Sequence, residues 1–222
     1  AALACGNNPY PGADDAAKVR YGALPEPPKT LDPAVSYSEI DHAVFSNVYE
    51  TLLEYHYLKR PYELVPGIAE AVPEPRELAG GRVAYRFRLR PDLLFADDAC
   101  FALSGHDGTR QVEASGVAFE LMRVADPALA SPVFEALANI EGFREFSDRL
   151  ASLRESDPAF RERRIDEQYA AAGPIAGVRV QGPQDLEIVL AQPYPQILYW
   201  FAMPATAPVP WEAVARYDGR EG

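Results

Sequence analysis

The sequence predicts a fold that mixes helices and strands, of the α/β or α+β class. Residues 83–90 alternate apolar and polar side chains, which is the period of a half-buried strand. Residues 178–180 and 186–190 are two more strand patterns, and Gly182-Pro183-Gln184-Asp185 between them is typical of a hairpin turn. Residues 114–124 have the apolar spacing of a helix that packs on such a sheet.

The first predicted helix begins at Ser38. The run Ser38-Glu39-Ile40-Asp41 is a capping-box pattern, with a hydroxyl to cap the helix and a carboxylate three residues later. Apolar residues at helical spacing predict that this helix continues to Leu53, with His42 early in it and His56 near its end. Residues 68–72 are expected to form one helical turn.

The remaining elements follow from local pattern and from punctuation by proline and glycine. Lys18 to Ala23 is a short alternating strand candidate, and Pro61 interrupts any helix before it. Further helices are predicted over residues 128–138, 143–154, 159–172, 194–203 and 211–217. No internal repeat is present in the sequence.

Composition and charge exclude several classes of protein. The chain has 222 residues, a formal net charge of −12 and a sequence pI of about 4.7. Its hydrophobic fraction of 48% excludes wholesale disorder. The negative charge argues against nucleic-acid binding and against electrostatic docking on anionic lipid. The longest apolar stretch, residues 197–204, is far shorter than the roughly 20 residues of a membrane helix.

The first residues resemble the end of a bacterial lipoprotein signal peptide. Small apolar residues lead directly to Cys5 and Gly6, and a polar stretch follows. In such precursors the cysteine is lipidated, which predicts a lipid anchor at Cys5 and a location outside the cytoplasm. The alternative is a chance cysteine in a loose coil. With Cys100 as the only other cysteine, the sequence predicts no disulfide framework.

No set of residues forms an enzyme or metal signature. The loop with acids, a cysteine and a histidine matches no standard metal spacing and is better explained as a turn-rich loop; these residues are Asp97, Asp98, Cys100, His106 and Asp107. Ser104-Gly105 lacks the strand–turn–helix context of a nucleophile elbow. The sequence therefore predicts no catalytic residue, no metal and no cofactor.

Two further clusters have ordinary structural explanations. Strand alternation places Arg86, Arg88 and Arg90 on one face, so a solvated sheet face is preferred to a nucleic-acid patch. The aromatic cluster could line a pocket, but core packing is the preferred interpretation; its members are Tyr194, Tyr199, Trp200 and Phe201.

A series of short motifs carries a resemblance to a known family. The series begins with Leu31-Asp32-Pro33-Ala34 and Asn47-Val48-Tyr49-Glu50-Thr51-Leu52-Leu53. It continues with Leu64-Val65-Pro66-Gly67-Ile68-Ala69-Glu70, the strand Tyr85 to Asp92, Val112-Glu113-Ala114, Arg123 to Pro127, Ser131-Pro132, the hairpin Gly177 to Leu190, Pro193-Tyr194-Pro195 and Pro208-Val209-Pro210. In order and spacing, the series resembles the N-terminal part of extracytoplasmic solute-binding proteins of ABC importers, in family 5, which includes dipeptide-, oligopeptide- and nickel-binding proteins.

The resemblance implies a fold of the periplasmic binding protein-like type II (cluster C), with two α/β lobes that close on a ligand. It divides the chain into a lipoprotein tether (1–17), the first part of lobe I (18–54), an extra subdomain of lobe I (55–192) and a truncated return to lobe I (193–222). The second lobe is missing, so the sequence is expected to be a fragment. Residues 143–173 are longer and more charged than usual, an insertion without an assigned role.

The function that the resemblance implies is binding of a peptide or another small solute, without catalysis, for delivery to a membrane permease. The loop after Leu31-Asp32-Pro33 touches ligand in oligopeptide binders, which points to Tyr37, Ser38 and Glu39. The position after Ser131-Pro132 can carry a pocket tyrosine, but here it is Val133, which weakens a peptide assignment. The alternatives are a hydrolase acting on cell-envelope peptides and a sensory or scaffold module with the same fold.

Overall fold

A computed structural model of the protein describes residues 24–217. The predicted tether with Cys5 and the predicted strand at residues 18–23 lie outside this range, as do residues 218–222. The strands are β1 (Leu53–Tyr55), β2 (Leu64–Pro66), β3 (Arg76–Glu77), β4 (Val83–Arg88), β5 (Val178–Val180) and β6 (Asp185–Leu190). The helices are α1 (Glu39–Phe45), α2 (Ala114–Ala125), α3 (Phe134–Leu137), α4 (Phe143–Ser156), α5 (Ile165–Ala172), α6 (Ile197–Trp200) and α7 (Trp211–Tyr217).

An antiparallel sheet of four strands, in the order β3-β4-β6-β5, forms the centre of the fold. Strands β4 and β6 pair along their whole length, from Val83 opposite Leu190 to Arg88 opposite Asp185. The predicted hairpin of β5 and β6 is confirmed, with Val180 opposite Leu186. Helices α2 and α4 pack their apolar faces against this sheet and each other, which produces one contiguous hydrophobic core.

The opposite face of this sheet carries charged side chains, as the strand alternation predicts, with Arg86 and Arg88 exposed and Glu187 buried. Arg86 and Arg88 point from β4 towards solvent and form ion pairs with the facing strand. The Nε atom of Arg86 lies 2.9 Å from Oε2 of Glu187, and Nη1 of Arg88 lies 3.2 Å from Oδ1 of Asp185. The arginines of β4 and the carboxylates of β6 therefore balance each other's charge across the paired strands.

The prediction that the first helix continues to Leu53 is wrong, because α1 ends at Phe45. The 65% exposure of Val48 shows that the apolar spacing does not continue as a buried helical face. Leu53 instead donates its N–H to the carbonyl of Phe201 and pairs with Pro66 of β2. Strand pairing satisfies the backbone of this buried segment, so tertiary contacts override the helical pattern.

The expected helical turn at residues 68–72 is also absent from the structure. Ala69 forms an antiparallel bridge with Leu89, and Glu70 donates its N–H to the carbonyl of Arg88. A Cβ at Gly67 would collide with the carbonyl oxygen of Thr51, which explains the glycine between β2 and this bridge. His56 likewise belongs to the β1–β2 hairpin, where its N–H bonds to the carbonyl of Glu63, and does not end a helix.

Two other predicted helices are shorter than expected. The helix predicted over 128–138 is reduced to α3, since Ala130 has a φ of 48° and Pro132 interrupts the chain. The helix predicted over 159–172 begins only at Ile165, after a short 3-10 helix at Pro158–Glu162. Predictions for α2, α4 and α7 are confirmed, and the apolar run at 194–203 contains α6.

The charged segment 143–173 is joined to the core through a buried ion pair. Arg154 on α4 donates from Nη1 and Nη2 to the two carboxylate oxygens of Asp126, at 2.5 and 2.8 Å. Tyr169 on α5 donates its hydroxyl to the same carboxylate, and Gln168 accepts from Nε of Arg154. Burial, together with the charge of Asp126, raises the pKa of the Tyr169 phenol well above its ordinary value.

We expect Arg154→Met to lower the free energy of unfolding by about 3 kcal/mol, because it leaves the buried Asp126 carboxylate without its cation. Arg144→Met on the same helix is the matched control, since its pair with Glu135 is exposed and contributes little to stability. Urea denaturation measures both changes. Equal losses in the two variants would contradict the role of the buried pair.

Candidate functional site

The loop with Tyr37, Ser38 and Glu39 is anchored to the core through Asp32. Arg123 on α2 donates from Nη2 to Oδ2 of Asp32 at 2.6 Å and from Nη1 to Oδ1 at 3.1 Å. Oδ1 of Asp32 also accepts the N–H of Ala34 and thereby caps the 3-10 helix at Pro33–Val35. The Asp32 carboxylate therefore binds Arg123 of the buried helix α2 and also fixes the backbone where the loop begins.

A second carboxylate, that of Asp41, holds the other end of this loop. It is buried and accepts the N–H of Lys29 at 2.8 Å and the hydroxyl of Ser36. The Ser36 hydrogen bond is the main reason that the pKa of Asp41 lies below its ordinary value. Ser38 caps α1 as predicted, with its hydroxyl accepting the N–H of Ile40. Asp41, however, does not return the capping-box bond, because its oxygens are engaged with Lys29 and Ser36.

The structure places Tyr37 in a set of partly exposed aromatic rings, named here the aromatic face: Tyr37, Tyr55, Tyr62, Tyr199 and Trp200. The Tyr37 ring lies 6.4 Å from the ring of Trp200. Tyr55 stacks on Tyr199 at 5.9 Å and meets Tyr62 edge-on at 5.6 Å. The four tyrosines are between 38% and 59% exposed. A concentration of half-exposed rings of this kind is typical of a contact surface.

The predicted site residues have different surroundings. Tyr37 belongs to the aromatic face, and Glu39 is exposed two residues later at the start of α1. Ser38 is half-buried, and its hydroxyl is occupied as a cap. Val133 is only 2% exposed and packs in the core before α3, so the structure does not bring it to the aromatic face. Helix α3 does pack on α6, which carries Trp200.

Sequence reasoning missed most of the aromatic face. Tyr55 and Tyr62 lie on the β1–β2 hairpin, which also contains Tyr57, and the density of these three tyrosines was the available signal. The interpretation of the 194–201 cluster as core is right for Phe201, which is fully buried. It is wrong for Tyr199, which is 41% exposed. Trp200 is half-buried and donates its indole N–H to the hydroxyl of Tyr194 at 3.2 Å.

A groove of about 820 Å³ adjoins the aromatic face between the β1–β2 hairpin and α6. Tyr62 and Tyr199 line it together with Arg60, Pro61 and Leu198. The volume is within the range of small-molecule sites, on the order of 300–1,000 Å³. Its walls combine apolar surface with a few charged groups, which is suited to binding and not to covalent chemistry.

The loop with the candidate metal ligands has structural roles in the fold. Asp98 caps the 3-10 helix at Ala99–Ser104 by accepting the N–H of Cys100, and it also accepts the hydroxyl of Tyr217. Within residues 24–217, no three histidine, cysteine or acidic side chains are grouped to hold a metal ion. Burial and the neighbouring Asp98 raise the pKa of the Cys100 thiol to about 12.

The contact between Ser104 and His106 is the feature most relevant to a hydrolase. The Ser104 hydroxyl lies 3.0 Å from Nδ1 of His106, but it also lies 3.1 Å from the carbonyl of Phe101, to which it donates. The buried carboxylate that lines the same cavity, Glu212, forms a two-pronged ion pair with Arg110 at 2.7 and 2.8 Å. His106 therefore has no orienting carboxylate among the described side chains, which a catalytic triad requires.

Among the solved structures that resemble this chain are three proteins with roles in peptide binding or oligopeptide transport. The Escherichia coli murein tripeptide binding protein MppA is 22% identical with a TM-score of 0.54, covering 82% of this chain and 29% of its own. The substrate-binding domain of an oligopeptide ABC transporter from Bacillus anthracis is 20% identical with a TM-score of 0.56, covering 86% and 30%. Haemophilus influenzae OppA, in complex with the peptide RPPGFSPFR, is 19% identical with a TM-score of 0.56, covering 84% and 29%.

These similarities establish the fold. The chain has the mixed α/β fold of part of a peptide-binding protein of ABC transporters, and it spans less than a third of the length of those proteins. No protein-family model and no curated protein sequence matches the chain. The longest helix between residues 24 and 217 has 14 residues, and none of the helices there is long and apolar enough to cross a bilayer.

We expect Cys100 to resist alkylation in the folded protein, because it is 1% exposed and its thiol stays protonated near pH 8. Iodoacetamide and mass spectrometry measure this in a Cys5→Ser background. Modification should become complete only after urea is added. Rapid native labelling would show that the Cys100 environment is open.

We also expect Glu120 to make stability depend on pH. It is fully buried beside Arg123, which also pairs with Asp32, and burial raises its pKa to about 8 from an ordinary value of 4.5. A carboxyl with a raised folded-state pKa stabilises the fold fully below the ordinary value, and the contribution is lost as pH rises through the raised value. The thermal midpoint should therefore fall between about pH 4.5 and pH 8.

Glu120→Gln is the control for this pH dependence, since an amide of the same size stays neutral. As pH rises over this range, the thermal midpoint of the wild type should fall relative to that of Glu120→Gln. Tyr49, whose phenol pKa burial raises to about 12, stays neutral throughout it. Parallel curves for the two proteins would show that Glu120 does not titrate there.

Proposed function

We propose that this protein is a solute-binding receptor of an ABC importer and that the described chain is part of its first lobe. In this proposal the aromatic face, with Tyr37, Ser38 and Glu39 at one end, is one wall of a site for a peptide. The observation that carries the proposal is an exposed aromatic surface in a chain with the fold of peptide-binding proteins. Val133 is retained as a ligand-contacting position only in a conformation that exposes it.

The chemistry of the site favours binding of an extended chain. Tyrosine and tryptophan rings provide large contact area with little loss of side-chain entropy, and they accept apolar side chains and prolines of many shapes. The loop with Tyr37 is held by two carboxylates, the half-buried Asp32 and the buried Asp41, so its position is set before ligand arrives. Closure of a second lobe over this wall would expel water and complete the site.

The proposal also covers where the protein works. A lipid anchor at Cys5 would hold the receptor on the outer side of a bacterial membrane, close to the permease that takes up its ligand. The coding frame beyond Gly222 distinguishes this proposal from a sensory or scaffold module. A continuing frame with a second α/β lobe is expected, whereas fusion to a signalling domain would favour sensing.

We expect Tyr37→Ala to weaken peptide binding roughly tenfold, because it removes the ring between the loop and Trp200. A separate variant, Glu39→Gln, should also weaken binding of peptides with a free amino terminus. Isothermal titration calorimetry with mixed tripeptides measures this in the protein as its gene encodes it. Tyr57→Ala is the matched control, since this 88% exposed tyrosine is not part of the aromatic face. Unchanged affinity in Tyr37→Ala would refute the site assignment.

A further inference from the structure

The groove beside the aromatic face contains a cation without an acidic partner. Arg60 donates from Nη1 to the carbonyl of Lys59, and within residues 24–217 no carboxylate lies in ion-pair distance of it. Its neighbour Lys59, in contrast, binds both carboxylate oxygens of Glu63 at 2.7 and 2.8 Å. In a chain with a net charge of −12, a cation left unpaired on a groove wall is available to a ligand.

The position of Arg60 over a ring presents it for such a contact. The guanidinium carbon lies 4.3 Å from the centre of the Tyr62 ring, a cation–π distance. Stacking uses the flat side of the guanidinium and leaves N–H groups on its edge, which match the two oxygens of a carboxylate. The stack also restricts the side chain, so less entropy is lost when a ligand binds.

The aromatic face leads directly to this cation. Tyr62 contacts Tyr55, and Tyr55 stacks on Tyr199, so a series of ring contacts leads from Arg60 to Tyr199, which is next to Trp200 in the sequence. Tyr62 and Tyr199 both line the groove that contains Arg60. A ligand lying on these rings would therefore have one end at the guanidinium.

We propose that Arg60 binds the terminal carboxylate of a peptide whose last side chains lie on Tyr62 and Tyr199. The inference rests on the proposed function and adds the direction of the peptide and the chemical group that is recognised at this end. A single carboxylate suits the site better than a polyanion, because Arg60 is the one unpaired cation among the described residues that line the groove, and the net charge of the chain opposes highly charged ligands. Peptides with a blocked carboxyl terminus should bind less tightly.

The test uses one pool of mixed-sequence tetrapeptides without Asp or Glu, prepared as free acids and as carboxyl-terminal amides. Affinities of both pools are measured by calorimetry for the protein as its gene encodes it. We expect the free acids to bind roughly fivefold more tightly than the amides, the strength of one partly exposed ion pair. Arg60→Met should bring the ratio of the two affinities close to one, mainly by weakening binding of the free acids, and Arg60→Lys should restore part of the preference.

Lys59→Met is the matched control, because Lys59 is adjacent to Arg60 but already paired with Glu63. It should preserve the preference for free acids. Equal affinity for acids and amides in the wild type would overturn the role of Arg60 while leaving the proposed function intact. Failure of both pools to bind the wild type would instead overturn the proposed function. An acid preference that survives Arg60→Met would place the carboxylate elsewhere.

Discussion

The ion pair between Arg123 and Asp32 connects the hydrophobic core with the surface loop that the proposed function needs. Arg123 is buried on α2, where a guanidinium is tolerated only if carboxylates compensate its charge. Asp32 does so with both of its oxygens, whereas Glu120, whose pKa burial raises to about 8, accepts a hydrogen bond from Nη1 of Arg123. Among the described side chains, Oε1 of Glu120 and Nε of Arg123 have no hydrogen-bond partner. The cluster is therefore sensitive to its own protonation. Because Asp32 also caps the following turn, a disturbance of this cluster reaches the chain segment that presents Tyr37.

The aromatic face is exposed because the core is already complete without it. The four-stranded sheet and helices α2, α4 and α5 supply enough apolar side chains to bury one another, and the segment 143–173 contributes to this through its own apolar face. Neighbouring residues on α6 and just after it thus separate into two environments, with Phe201 in the core and Tyr199 at the surface. The four tyrosines of the aromatic face are at least 38% exposed, and the proposed binding site uses this exposed ring surface.

Local rules predicted the elements whose hydrogen bonds are local. The cap at Ser38, the hairpin between β5 and β6 and helices α2 and α4 depend on residues close in sequence, and these predictions are confirmed. The failures occur where the backbone bonds to distant residues. Leu53 bonds to Phe201, and Ala69 pairs with Leu89. The apolar residues at helical spacing in these segments therefore do not form a helix. Ala130 illustrates a second cause, because its positive φ interrupts a helix and cannot be predicted from composition.

The sequence by itself determined the fold class, the cap at Ser38, the β5–β6 hairpin, helices α2 and α4 and the acidic character of the chain, because each depends on side-chain type, periodicity or motif order. Only the tertiary structure decided which rings meet on the aromatic face, which carboxylates are buried and that Arg60 has no acidic partner within residues 24–217. Those properties depend on distances between residues far apart in the chain. Hydrophobic burial brings such segments together, but the local sequence pattern does not specify which of their side chains will be in contact.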